Sequence, residues 1–264
     1  MNWFYLYFII GYYTYSTIGL IIDIFASENR INTINIFSIK QKYMEVSNLV
    51  NTNVIIKSIP FFMVAELMYI NYNENISYMM YLIQYIITLI IGLNLEYLIH
   101  RLKHTTCLYK YHYKHHEQKL LFGYMTYYEH QYDFCLSMLL IIFPALLRFS
   151  PLITNIWVLL YLYKKIILDH CNLLVMGDNY NLHHEIKKYN YGFKYIDNLF
   201  DTFNDDYSIL KKKNDDLKEE DIKNLSPTNN YKCYSYLCKT NNKDTKNNKD
   251  KIDKLGRLHY SNFF

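Results

Sequence analysis

Nine of the ten histidines in this 264-residue chain fall between positions 100 and 184, at spacings that suit metal ligation. His100 and His104 form an HxxxH pair, and His112, His115 and His116 form an HxxHH group. His130 and His170 stand alone, and His183 and His184 are adjacent. Residues four apart on a helix share a face, so His100 and His104 present two rings in one direction. His112 and His116 do the same, with His115 beside them. Structural zinc sites usually take four ligands with cysteine prominent. Nine histidines without clustered cysteine point instead to two metal ions. Imidazole suits iron, zinc and copper, and of the chemistries open to them only a redox metal activates dioxygen. A solvated, incidentally histidine-rich loop would not repeat the box spacing and then add three further stretches.

The elements that must position these rings are apolar. Hydrophobic residues make up 51% of the chain and aromatics 18%, yet the mean hydropathy is −0.13. The sequence is therefore split into greasy and polar parts. Apolar runs cover Trp3–Ile22, Val54–Ile70, Tyr78–Leu95, Phe134–Phe149 and Leu152–Leu168. A run of about 20 residues matches a hydrocarbon core of about 30 Å. The first run has no basic stretch before it and no small-residue cleavage site after it, so it reads as a retained anchor. Tyr78 to His104 as one helix is about 40 Å long, so its last turns project beyond the hydrocarbon. Ser150-Pro151 breaks the last two runs into a hairpin. The expected fold is an all-α, multi-helix transmembrane bundle of four or five segments, with a cytosolic helical cap carrying the histidine boxes. Residues 1–53 are read as an anchor and a cytosolic loop, 54–203 as the membrane-embedded core, and 204–264 as a polar, disordered tail. In that topology Arg30, Lys40, Lys42, Arg101, Lys103, Lys110, Lys114 and Lys119 all lie on the histidine side, as the positive-inside rule prefers, and Arg148 lies opposite.

Other functions fit poorly. The net charge of +4 comes from mixed acids and bases, without the dense basic face of a nucleic-acid binder. Cys107, Cys135, Cys171, Cys233 and Cys238 are odd in number and irregular in spacing, which reads as free thiols in a reducing compartment. A histidine-lined transporter would carry histidine inside the apolar runs, and they contain none.

The boxes, taken in order, resemble the fatty acid hydroxylase/sterol desaturase superfamily. The residues that carry the resemblance are His100-x3-His104, His112-x2-His115-His116, Glu129-His130-Gln-Tyr-Asp133, Asp169-His170, His183-His184 and Asp197-Asn-Leu-Phe200. The stretch His183-His184-x4-Tyr189-Asn190-Tyr191-Gly192 is most similar to the C-5 sterol desaturase (lathosterol oxidase) branch. The surroundings of His112 and His170 are also similar to the sphingoid-base hydroxylase branch. The resemblance implies two non-haem iron ions held by His100, His104, His112, His115, His116, His130, His170, His183 and His184. It implies dioxygen as oxidant and electrons from NAD(P)H through a cytochrome b5-type haem donor in trans. Asp133, Asp169 and Tyr180 are candidate supports around those ligands.

The implied activity is desaturation or hydroxylation of a sterol in the endoplasmic reticulum membrane, with a sphingoid base or fatty acid as the alternative substrate. The sequence also departs from the family pattern. Tyr180 stands where the third box usually begins with histidine, and His130-Gln-Tyr-Asp133 replaces His-Pro-x-Glu. Cys171 follows His170 where Gly-Tyr-Asp is usual. Those departures keep a second class open, a catalytically impaired, non-enzymatic membrane protein that binds metal.

Overall fold

The computed structural model describes residues 3–25, 36–70, 72, 75–117, 121–171, 182–184 and 187–204. Tyr180 and the chain from 205 onward, including Cys233 and Cys238, lie outside the described residues. Among the described residues every regular element is helical. The order is α1 (Trp3–Phe25), α2 (Ile36–Asn51), a π-helical turn (Thr52–Lys57), α3 (Ile59–Met68), α4 (Tyr78–Lys103), α5 (Thr106–His116) and a 3-10 turn (Gly123–Tyr127). It continues with α6 (Gln131–Leu146), α7 (Pro151–Tyr163), a second π-helical turn (Lys164–Asp169) and α8 (Lys194–Leu199).

Four stretches are long and apolar enough to cross a bilayer: Trp3–Ile24, Lys40–Met68, Tyr78–Lys103 and Pro151–Asp169. α6 is apolar but shorter, at 16 residues. The outward faces are apolar as well: Ile10 on α1, Met63 on α3 and Ile90 on α4 are all exposed. Side chains of that kind are stable facing hydrocarbon and costly facing water. The fold is an all-α bundle of a multi-pass membrane protein.

One element differs from the sequence reading. The stretch 23–53 was expected to be a loop, but Ile36–Asn51 is helical and runs through the π turn into α3. Val46, Val50 and Val54 are fully buried at four-residue intervals. That stripe anchors an otherwise polar helix against the bundle.

The interior is aromatic. Phe8, Tyr12, Phe62, Tyr127, Phe134 and Trp157 are all buried. α1 packs on α7 and the second π turn, α3 on α6, and α4 on both α6 and α7. Buried Asn53 fastens the first π turn to the chain entering α6. Its Nδ2 donates to the carbonyl oxygens of Tyr127 at 2.9 Å and Glu129 at 3.0 Å. Ser77 and Ser150 accept backbone N–H groups at the starts of α4 and α7, satisfying donors that a helix leaves open there.

Candidate metal centre

His100 sits near the end of α4, and His104 ends that helix as its cap. A sharp turn then starts α5, which carries His112, His115 and His116 back over the same end of the bundle. The second π turn delivers His170, and the 182–184 segment delivers His183 and His184. These eight rings gather into two groups. In one, His100, His104, His112, His116 and His183 can each offer a ligand atom, all within 4.8 Å of one another. His115, His170 and His184 do the same in the other. Neighbouring residues divide between the groups: His116 and His115 part on α5, as do His183 and His184. The groups stay in contact, with the His116 and His184 ring centroids 4.5 Å apart.

The donor set fits metal ions. His116 Nε2 lies 3.1 Å from the Nε2 atoms of both His104 and His112. With a metal–imidazole distance of about 2.1 Å, adjacent ligands at right angles stand about 3 Å apart. In four of the eight rings the opposite nitrogen meets an oxygen acceptor. His112 Nδ1 meets Asp133 Oδ2 at 2.8 Å. His100 Nδ1 meets the Tyr191 carbonyl oxygen at 2.7 Å, and His183 Nδ1 meets that of Tyr189 at 2.6 Å. His170 Nδ1 meets the Lys165 carbonyl oxygen at 2.5 Å. An oxygen acceptor at Nδ1 places the proton there and leaves the Nε2 lone pair for a metal. The other four rings are held in the neutral form. Burial pushes His104, His115, His116 and His184 far below the ordinary imidazole value, and the neighbouring imidazoles push the same way. Neutral imidazole is the form that binds metal.

His130 takes a different place. It is the N-cap of α6, with its Nδ1 accepting the Tyr132 N–H at 3.4 Å. Its ring lies 5.0 Å from Tyr111 and 5.4 Å from Tyr132, and it joins neither group. Asp169, expected to support an imidazole, is engaged instead by Lys164 at 2.9 Å and Lys165 at 3.0 Å.

A layer of buried charge that the sequence reading missed lies just beneath the imidazoles. Glu96 pairs with Lys164 at 3.0 Å and Lys165 at 2.7 Å. Lys103 pairs with Asp133 at 2.6 Å and donates to Ser137 at 3.0 Å, and Ser137 in turn donates to Glu129. The signal was present in the sequence. Glu96 stands one helical turn before His100, and two consecutive lysines, Lys164 and Lys165, interrupt the apolar run Leu152–Leu168; ionisable residues at such places are seldom incidental. A cavity of about 20 Å³ lies between this layer and the rings, lined by His100, His112, His115 and His170 together with Lys103, Glu129 and Lys165. It has room for about one water molecule.

An apolar helical bundle with eight imidazoles converging at one end is a multi-pass membrane protein with a polyhistidine site able to hold metal ions. Residues 85–202 match the family model for fatty acid hydroxylase. That segment holds all eight converging histidines, and the match supports the superfamily without separating its sterol branch. It points to an oxidoreductase of the non-haem iron type that hydroxylates or desaturates membrane lipids. No curated protein and no solved structure matches the chain.

Proposed function

We propose that the chain holds two iron ions in its paired histidine groups and oxidises a bilayer-borne lipid with dioxygen, hydroxylating or desaturating it. A sterol is the first substrate class, on the strength of the His183-to-Gly192 pattern. A sphingoid base or fatty acyl chain is the second. The observation that carries the proposal is the convergence of eight imidazoles into two touching groups at one end of apolar helices. Iron bound there supplies activation of dioxygen and removal of hydrogen from an unactivated C–H bond. The protein's own residues do the rest. Asp133 and the carbonyl oxygens of Lys165, Tyr189 and Tyr191 orient the rings, and burial keeps the imidazoles neutral and bulk water out. In this reading the centre faces the cytosol from the endoplasmic reticulum membrane. A cytochrome b5-type donor brings electrons from NAD(P)H.

One observation favours the impaired, non-enzymatic reading: His130, one of the nine histidines assigned by resemblance, stands outside both groups. Purified protein separates the two. The enzyme carries about two irons per chain and converts a sterol, sphingoid base or acyl lipid only when dioxygen, NADPH and a cytochrome b5 system are all supplied. One iron or none, with no lipid product from any class, would sink the oxidoreductase reading.

A further inference from the structure

Two ligands of the five-histidine group depend on the same short stretch of backbone. His183 points its Nδ1 at the Tyr189 carbonyl oxygen, and His100 points its own at that of Tyr191. This stretch has no helix or strand of its own, and it turns at Lys187 and Asn190 with φ of 62° and 60°. Asn190 ties it to the chain after α8, its N–H donating to the Thr202 carbonyl oxygen and its Nδ2 to that of Asn204, both at 2.8 Å. Asp197 of α8 holds the Tyr191–Gly192 peptide itself. Its Oδ1 accepts the Tyr191 N–H and its Oδ2 accepts the Gly192 N–H, both at 2.9 Å. The Gly192 N–H and the Tyr191 carbonyl belong to one planar peptide group. The carboxylate therefore grips one edge of that plane while the His100 imidazole is held at the other.

We infer that Asp197 is a positioning residue of the metal centre, orienting and polarising His100 through the Tyr191–Gly192 peptide. The inference rests on the proposed function. Asp133 acts on His112 by direct contact; Asp197 acts on His100 across one peptide group. A negative charge at the N–H edge strengthens the carbonyl as an acceptor, because hydrogen bonds in series polarise one another. The carboxylate is itself fixed. Thr202 Oγ1 donates to Asp197 Oδ1 at 2.8 Å. Tyr97 OH lies 3.0 Å from Thr202 Oγ1, and Arg101 Nη1 donates to Tyr97 OH at 2.9 Å. Tyr97 is on α4, one turn before His100, so the clamp is tied to the helix that carries the ligand. The approach is close: a Cβ added to Gly192 would stand 3.3 Å from Tyr97 Cβ.

Cobalt(II) titration of the metal-free full chain in lipid nanodiscs tests this, with visible absorption reporting ligand geometry. Wild type is expected to bind cobalt with bands of imidazole-rich coordination. Asp197→Asn keeps an acceptor for one N–H but turns an NH2 toward the other. Its folded fraction is expected to bind cobalt about tenfold more weakly, at the low end of the effect of losing a ligand's hydrogen-bond partner, and with shifted bands. Wild-type affinity and bands in that fraction would overturn the inference, since a merely structural role lowers yield without altering the site. Thr202→Val removes its bond to the carboxylate and its contact with Tyr97 OH and leaves both hydrogen bonds from Asp197 to the peptide in place. It is expected to shift the same bands by less, and it decides the matter if Asp197→Asn does not fold: an unshifted Thr202→Val spectrum then overturns the inference. A wild-type chain that takes up no cobalt would sink the proposed function instead.

Discussion

Each imidazole has two nitrogens, and in four of the eight clustered histidines one nitrogen serves orientation. This sets the pH response of the metal-free protein. Burial lowers His170 to about 4 and His183 to about 3, from an ordinary value of 6.5. Above 6.5 both rings are neutral whether the chain is folded or unfolded, and the full stability is present. Below it the unfolded chain takes up protons first, so stability falls with pH until the folded rings also titrate. Thermal unfolding of the metal-free chain should show a melting temperature that drops steadily from pH 7 to pH 5. A flat profile would mean that these rings are accessible and protonate freely in the folded state. The boxes themselves were legible in the sequence, because four-residue spacing alone puts His100 with His104 and His112 with His116. The acceptors were not, because three of the four are backbone carbonyls, which leave no residue type to read. Nor could sequence separate His130 from His170. Both are isolated histidines; one caps a helix and the other ends a π turn.

Helix packing decides whether the ends that carry histidine meet. α4 and α7 approach through Gly92, where a Cβ would lie 2.2 Å from Trp157 Cη2. The indole cannot yield, because its Nε1 donates to the Leu140 carbonyl oxygen at 2.9 Å and its ring abuts Phe143 at 5.3 Å. Gly92→Val should therefore push the helices apart and cost about 1–3 kcal/mol as an overpacked core. The measurement is denaturant unfolding in nanodiscs, and an unchanged midpoint would refute so tight a contact. Most of the bundle was legible, since five apolar runs give five apolar helical segments. The exception was the helix Ile36–Asn51. Its polar composition concealed a stripe of only two valines, Val46 and Val50, continued by Val54 in the π turn, and periodicity that sparse is easily passed over beside long apolar runs. The two π turns were also hidden, because nothing in the residue types of Thr52–Lys57 or Lys164–Asp169 marks the wider hydrogen-bond spacing.

At the scale of the whole molecule the open matter is which side of the membrane the centre faces. The histidine end carries Arg101, Lys110, Lys114, Lys187, Lys188 and Lys194, whereas among the described residues of the opposite connections, 70–77 and 147–150, the cation is Arg148. Under the positive-inside rule that asymmetry supports the proposed orientation, with the histidine end toward the cytosol. Cys107 makes the orientation measurable: it is exposed at the start of α5, whereas Cys135 is half-buried and Cys171 buried. In a variant with Cys233→Ser and Cys238→Ser, a membrane-impermeant maleimide should label Cys107 when cytosolic faces are presented outward. It should fail to do so when they are sealed inside. The reverse pattern would place the imidazoles in an oxidising compartment, where a free thiol beside the centre does not persist and a cytosolic electron donor cannot reach it. The metal site would survive that result, but its proposed supply of electrons would not.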